Sequence, residues 1–136
     1  MTVRKVKSRN RFFFSAKIQI AAAGAKGRGV FAKERILPGE TIEVAPALLI
    51  PTGQEDDFLA TFLAHYIFRT DLADRYVIGL GYTSLFNHST RANAEFFVSN
   101  LAVTIKAKRA IAARGEVTVN YGWTQREWAM IGGRID

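Results

Sequence analysis

Two short stretches decide how this chain is interpreted: residues 84–93 read Ser-Leu-Phe-Asn-His-Ser-Thr-Arg-Ala-Asn, and residues 115–122 read Gly-Glu-Val-Thr-Val-Asn-Tyr-Gly. In the first stretch, Asn87, His88 and Ser89 place three hydrogen-bonding side chains in a row, directly after an apolar pair. Polar groups inside a folded protein are hydrogen-bonded, so such a row needs partners in the protein or in a ligand. The second stretch has the pattern of a turn, an alternating strand and a tyrosine followed by glycine. Together the two stretches indicate a polar site at strand ends rather than ordinary core.

Length and composition indicate one folded domain without disulfides or a metal. A chain of 136 residues with 49% hydrophobic residues is long enough to bury a core by itself. It has no cysteine, which excludes disulfides and cysteine-bound zinc, and its two histidines are too few for a structural zinc site. No apolar run reaches the ~18 residues of a membrane span, and no signal-peptide pattern is present. We therefore expect an intracellular, cytoplasmic protein that is not bound to a membrane.

Positive charge is concentrated near the N-terminus. Residues 1–33 contain nine Lys or Arg and no acidic residue, whereas residues 34–136 contain ten basic and twelve acidic residues. Residues 1–15 are therefore interpreted as a basic arm on a nearly neutral body. A block of like charges is usually a solvated tail, but contact with nucleic acid or with an acidic partner is an alternative. An organelle transit peptide is a third interpretation of the arm.

Alternation of apolar and polar residues predicts a mostly-β (α+β) fold. The clearest case is a hairpin with strands over 95–98 and 101–107, in which Val103, Ile105 and Ala107 face inward. The other predicted strands cover 16–20, 30–32, 41–50 (one strand, or two broken at Pro46), 76–80 and 117–119.

The period of the pattern changes between residues 55 and 69. Apolar residues there recur at intervals of three and four, which is typical of one buried face of a helix. Acidic residues from Glu55 onward suit the N-terminal end of such a helix, and Arg69 suits its C-terminal end. We therefore predict one central helix whose apolar face is made of Phe58, Leu59, Phe62, Leu63, Tyr66 and Ile67.

A short helix is also predicted near the C-terminus. Thr124 and Glu127 have the spacing of a capping box, and Trp128 would lie on the helix that follows. No internal repeat and no interdomain linker is visible in the sequence.

The stretches 84–93 and 115–122 resemble the two signature motifs of the SET domain, the fold of many protein-lysine methyltransferases. The family patterns are approximately Asn-His-Ser-x-x-Pro-Asn and Gly-Glu-Glu-Leu-Thr-x-Asp-Tyr-Gly. A third family motif, Gly-x-Gly-Val-Phe-Ala, is present over 27–32 as Gly-Arg-Gly-Val-Phe-Ala. Two positions depart from the patterns, because Ala92 replaces the usual proline and Asn120 replaces the aspartate. The first change loosens a turn but removes no chemistry, and the second removes a negative charge near the motif.

The resemblance implies the SET-domain fold, a β-clip of several small curved sheets with one central helix and a knot-like C-terminal threading beneath the Asn-His-Ser loop. It also implies that a methyl group passes from S-adenosyl-L-methionine to the ε-amine of a lysine in a protein substrate, with S-adenosyl-L-homocysteine as the other product and no metal. Residues 16–123 would then be the SET domain, and residues 124–136 a short C-terminal segment similar to a post-SET region.

Tyr121 is the catalytic residue that the resemblance implies, with a hydroxyl that orients the reacting groups. A buried tyrosine whose hydroxyl is simply satisfied is the alternative. Asn87 and His88 would contact the amino-acid end and the adenine of the cofactor, although a polar loop that bonds to its own backbone would look the same. The glycine-rich loop of residues 26–29 would hold the ammonium and carboxylate of the cofactor through its backbone, and a tight turn between strands is the alternative. The implied cofactor site comprises Lys26, Gly27, Arg28, Gly29, Asn87, His88, Tyr121 and Trp128.

The substrate channel implied by the resemblance is aromatic. Tyr66, Phe96 and Tyr121 would form its wall, with Trp123 as a further candidate. Core packing is the alternative for Tyr66, Phe96 and Trp123, and also for Trp128. A phenylalanine at position 96 would favour transfer of more than one methyl group. Ser89 and Asn93 are expected to brace the loop between the motifs.

Two other functions compete with the enzyme. One is a SET fold that has lost catalysis and binds partners. The other is a small basic β protein that binds nucleic acid through residues 4–11 and Phe12–Phe14, since cationic and aromatic surfaces bind single strands. A homodimer that completes the channel is a further expectation for so short a chain.

Overall fold

The computed structural model describes residues 12–70, 75–99 and 101–123. The strands are β1 Phe13–Phe14, β2 Ile18–Ala22, β3 Arg28–Ala32, β4 Thr41–Leu49, β5 Ile67–Arg69, β6 Tyr76–Gly79, β7 Asn87–His88, β8 Ala94–Val98, β9 Ala102–Ala107 and β10 Glu116–Val119. They pair into a sheet in the order β2-β3-β10-β8-β9-β4-β6-β5, with β1 paired to β4 and β7 paired to β10. The mostly-β class is thereby confirmed. Helix α1 is Glu55–Leu59, and 3₁₀ helices cover Gly24–Lys26, Phe62–Tyr66 and Thr83–Leu85.

Strand β10 ties distant parts of the chain together. It pairs antiparallel with β3 and parallel with both β7 and β8. The chain therefore runs directly beside the Asn-His-Ser segment just before it reaches Tyr121. The predicted knot-like threading depends partly on residues 124–136, and these, with the predicted capping box and Trp128, lie outside the described residues.

The predicted hairpin is confirmed as β8 and β9. Val103, Ile105 and Ala107 are buried, whereas Lys106 and Lys108 are exposed. Because a strand has a period of two, the sequence alone identified the inward face correctly.

Residues 41–49 form one strand, β4, rather than two strands broken at Pro46. Pro46 lies opposite Ala102 of β9, and its carbonyl accepts a hydrogen bond from the Leu80 amide at 2.9 Å. Pairing on both sides holds the strand together at the position where proline lacks a donor. Strand β2 starts at Ile18, two residues after the predicted start.

The prediction of a helix over 55–69 is wrong beyond Leu59. Thr61 has extended backbone angles and its side chain accepts a hydrogen bond from Leu63, so a new 3₁₀ helix begins there. The expected apolar face is not buried as a unit, since Leu59, Phe62 and Tyr66 are 40%, 70% and 40% exposed. Arg69 lies in β5, whose pairing with β6 replaces the last predicted turns of helix. Tertiary pairing here overrides local helix preference.

The described chain begins with exposed aromatic residues. Phe13 and Phe14 form β1 on the edge of β4, opposite Val44 and Glu43, and the Phe14 ring meets Tyr82 edge-on at 4.7 Å. Strand pairing thus starts inside the range 1–15 that the sequence assigns to the basic arm. Of the helices in the described ranges, none is long and apolar enough to cross a membrane.

A carboxyl group is buried in the sheet. Glu43 of β4 is 2% exposed, and its Oε2 accepts a hydrogen bond from the Tyr82 amide at 2.9 Å. No described group donates to its Oε1. Burial raises the pKa of Glu43 from its ordinary value of 4.5 to about 7, against the lowering effect of the Tyr82 amide. The carboxyl lies over Gly81, where a Cβ atom would collide with Oε2.

Candidate active site

Strand β7 sends two neighbouring side chains in opposite directions, as strand geometry requires. Asn87 points towards Arg28 of β3 and Glu116 of β10, whereas His88 points towards Tyr121. Phe86, directly before them, is buried in the core at 1% exposure and anchors the strand. One short strand therefore contributes to two different surroundings, a charged cluster and an aromatic pocket.

The charged cluster joins three separate parts of the sequence. The Asn87 amide nitrogen Nδ2 donates to the Arg28 carbonyl at 3.0 Å and to Glu116 Oε2 at 2.7 Å. Lys26 Nζ donates to the other oxygen, Glu116 Oε1, also at 2.7 Å. Glu116 belongs to the motif at residues 115–122, but the sequence did not predict a role for its side chain. Its position directly after the Arg114-Gly115 turn does not identify a partner ninety positions away in the chain.

The two glycines of the glycine-rich loop are needed for different reasons. Gly27 has φ +86°, a left-handed conformation that favours glycine, and a Cβ atom there would meet open space. A Cβ atom on Gly29 would lie 2.5 Å from Glu116 Oε2 and 2.6 Å from Asn87 Nδ2. The absence of a side chain at position 29 therefore lets the charged cluster form against the backbone.

Tyr121 is held at both its backbone and its hydroxyl. Its amide donates to His88 Nδ1 at 3.0 Å, and its hydroxyl donates to the Phe86 carbonyl at 2.8 Å. Its ring lies 5.1 Å from the His88 ring and 5.5 Å from the Trp123 ring, measured between centroids. Because Nδ1 of His88 accepts a hydrogen bond, the proton of the neutral imidazole is on Nε2.

The Tyr121 ring borders a pocket of about 230 Å³. The three predicted channel residues, Tyr66, Phe96 and Tyr121, all line it, and so does Trp123. Phe96 is also packed edge-on against Phe68 at 5.1 Å, so it belongs to both the core and the wall. None of the described residues on the wall is acidic. The wall consists of His65, Tyr66, Ile67, Phe68, Arg69, Thr83, Ser84, Phe86, Phe96, Tyr121, Gly122 and Trp123.

The loop after β7 is braced by three side chains, the first of which is Ser89, whose Oγ accepts a hydrogen bond from the Arg91 amide at 3.0 Å. Asn93 donates to the Glu116 carbonyl and accepts from the Thr118 amide, each at 2.9 Å, which fastens the loop to β10. The Arg109 guanidinium donates to the carbonyls of Arg91 and Ala92 at 2.9 and 2.8 Å. These bonds hold the turn where Ala92 replaces the family's proline.

The other departure from the family pattern is on the surface. Asn120 is exposed, and its Oδ1 accepts a hydrogen bond from the Gly122 amide at 2.8 Å. The asparagine thus shapes the turn after Tyr121 without a charge. Within residues 12–70, 75–99 and 101–123, no three His, Asp or Glu side chains are grouped to hold a metal ion. Trp128, the remaining predicted cofactor residue, lies outside these ranges.

Comparison with known proteins agrees with this geometry. Residues 27–122 match the family model of the SET domain. A Plasmodium falciparum crystal structure described as a "putative histone methyltransferase" aligns with a TM-score of 0.67 and 28% sequence identity, covering 83% of this chain and 99% of the other. No curated protein sequence matches. The family match covers well over half of the chain and includes all three motifs, so this protein belongs to the SET-domain family.

Proposed function

We propose that this SET-domain protein transfers the methyl group of S-adenosyl-L-methionine to the ε-amine of a lysine in a protein substrate. The observation that carries the proposal is the position of Tyr121, which is bonded to both Phe86 and His88 and forms part of the pocket wall. The similarity to the Plasmodium protein, whose description names a histone methyltransferase, supports the same reaction class.

The pocket suits the protonation state that the reaction needs. Only a neutral amine can attack a methyl group, and lysine with an ordinary pKa of about 10.4 is largely protonated at neutral pH, a deficit of roughly 4–5 kcal/mol. An apolar surrounding disfavours the ammonium form. The wall contributes Phe86, Phe96 and Trp123, and its described residues include no carboxylate that would stabilise the ammonium.

The charged cluster fits the amino-acid end of the cofactor. Lys26 offers a positive charge, Glu116 a negative charge, and the open space beside Gly27 gives access to the backbone. An amino-acid end carries both an ammonium and a carboxylate, so the cluster complements it in sign. When bound, the cofactor supplies a methyl group on a positively charged sulfonium. We propose that residues 26–29, Asn87 and His88 hold it, and that Trp128 covers it.

Tyr121 would orient the amine. Its hydroxyl hydrogen is directed to the Phe86 carbonyl, and a hydroxyl that donates one hydrogen bond can still accept another. It can therefore accept an N–H of the neutral amine and aim the nitrogen lone pair. Such positioning lowers the barrier without forming a phenolate, and the phenol of an ordinary tyrosine ionises only near pH 10.

The number of methyl groups, the recruitment of a partner and the assembly of the protein are separate parts of the proposal. Phe96 offers no hydroxyl to hold a partly methylated amine, so we propose that it allows more than one methyl transfer. Recruitment of an acidic or nucleic-acid-associated partner by the basic arm remains a prediction, because residues 1–11 lie outside the described ranges. Completion of the channel by a homodimer also remains a prediction.

The test uses labelled S-adenosyl-L-methionine and a proteome extract, with the modified residue mapped afterwards. Tyr121→Phe should lower transfer by roughly 100-fold or more, as loss of an orienting catalytic hydroxyl does, while cofactor affinity stays within a few-fold. Tyr82→Phe is the matched control, because Tyr82 is a tyrosine that does not line the pocket. Cofactor binding without any transfer by the natural protein would instead support an interaction module. Absence of cofactor binding would exclude the proposed reaction.

A further inference from the structure

The Glu116 carboxylate has a partner on each oxygen. Lys26 Nζ and Asn87 Nδ2 both lie at 2.7 Å, which is the short range of charge-assisted hydrogen bonds. The carboxylate is largely shielded, since its side chain is 18% exposed, compared with 43% for Lys26. Each of the three residues comes from a different segment: the glycine-rich loop, β7 and β10.

These bonds decide which way the Asn87 amide faces. Both acceptors of its Nδ2, the Glu116 carboxylate and the Arg28 carbonyl, are oxygens, so the amide nitrogen must point towards them. The amide oxygen Oδ1 is therefore directed away from the cluster, as an acceptor. An asparagine in this orientation can receive an ammonium group, whereas a flipped amide would present donors to it.

The same carboxylate holds Lys26 next to the turn at Gly27. A lysine side chain has several rotatable bonds, and fixing it beforehand reduces the entropy lost when a ligand binds. An ion pair on the surface contributes little to folding stability. The ion pair between Lys26 and Glu116 would therefore act mainly by holding the Lys26 ammonium in position for the carboxylate of a ligand.

Gly29 provides an independent way to disturb this arrangement. A Cβ atom at that position would collide with Glu116 Oε2 and Asn87 Nδ2, although neither residue itself would be changed. The φ of Gly29 is not in the left-handed region, so alanine would act through this collision and not through backbone strain.

We propose that Glu116 is a positioning residue, which sets the Asn87 amide and the Lys26 ammonium to receive the amino-acid end of the methyl donor. This inference rests on the proposed function. Glu116 makes no contact with the reacting atoms in this proposal. Its expected effect is on the affinity for the methyl donor.

Calorimetric titration with two probes tests the proposal. S-adenosylhomocysteine carries the amino-acid end, and 5′-methylthioadenosine lacks it. Glu116→Ala and Gly29→Ala should each weaken S-adenosylhomocysteine binding about tenfold or more, as the loss of a charged hydrogen-bond partner does, and leave methylthioadenosine binding within about threefold. Glu116→Gln keeps an acceptor for Asn87 but loses the charge that pairs with Lys26, so it should recover only part of the affinity. Glu95→Ala, on the exposed side of β8, is the control and should bind both probes normally.

Thermal unfolding of every variant establishes that the fold is intact. Equal weakening of both probes, or unchanged S-adenosylhomocysteine affinity in Glu116→Ala, would overturn the positioning role. Binding of neither probe by the natural protein would instead exclude the proposed methyl transfer, so the two failures are distinguishable. In a transfer assay, Glu116→Ala should raise the KM for the donor more than it lowers kcat.

Discussion

Two apolar regions of this protein differ in how well their sequence pattern predicts burial: the three-stranded sheet β4-β9-β8 and the segment of residues 55–66. In the sheet, Val103 and Ile105 are completely buried. In the segment, Phe62 is 70% exposed although the local pattern predicted a buried face. The number and spacing of apolar residues therefore did not by themselves determine which of them became core.

The difference comes from backbone pairing. Strand β9 is bonded along both edges, to β4 and to β8, so its register is fixed and its inward side chains must meet the core. Helix α1 has five residues, and the 3₁₀ helix after it starts a new direction at Thr61. Such short helices have little stability of their own. The segment instead contributes Tyr66 to the rim of the pocket.

The largest effect is expected in the sheet. Ile105→Ala removes a completely buried side chain from the middle of β9 and should lower the free energy of unfolding by about 2–5 kcal/mol. Urea denaturation measures the loss. A change below about 0.5 kcal/mol, the usual size for surface positions, would mean that Ile105 is no better packed than the exposed residues of the segment.

An effect of intermediate size is expected from the buried carboxyl of the same sheet. The pKa of Glu43 is about 7 in the folded protein and 4.5 ordinarily, so between these values the folded state holds more protons than the unfolded state. The contribution of Glu43 to stability is then fully present below pH 4.5 and is lost as the pH rises from there through 7, by up to roughly 3 kcal/mol.

Glu43→Gln should remove that pH dependence, because the amide does not ionise. Unfolding curves of both proteins between pH 4 and pH 8 measure the difference, and Glu95→Gln on the exposed side of β8 is the matched control. Parallel pH profiles for the natural protein and Glu43→Gln would show that burial does not raise the pKa of Glu43.

The smallest effect on stability is expected in the segment of residues 55–66. Phe62→Ala should change the free energy of unfolding by less than about 0.5 kcal/mol, because the ring is mostly exposed and its aromatic neighbour, Tyr66, is itself 40% exposed. A loss of about 3 kcal/mol, typical of a buried phenylalanine, would indicate that the segment is packed as the predicted helix would be.

Local patterns predicted the parts of the fold whose pairing partners are close in sequence. The hairpin of β8 and β9 is confirmed, including its inward residues, because both strands and their turn lie within one short stretch. The helix predicted over 55–69 is wrong beyond Leu59, because Thr61 starts a separate 3₁₀ helix and because Ile67 and Phe68 pair with β6, an interaction that a helical period cannot reveal. The resemblance to the SET domain identified the family, which no periodicity in the chain would have done.

The sequence by itself determined the family, the mostly-β class and the candidate site residues, because these depend on short motifs and on periods that can be read locally. Only the tertiary structure decided that Glu116 bonds to Lys26 and Asn87, and that Tyr66, Phe96 and Tyr121 line one pocket. The physical reason is the same for the Glu116 bonds and for the pocket. Contacts between residues far apart in the chain depend on how strands are paired, and a side chain's type does not specify its partner.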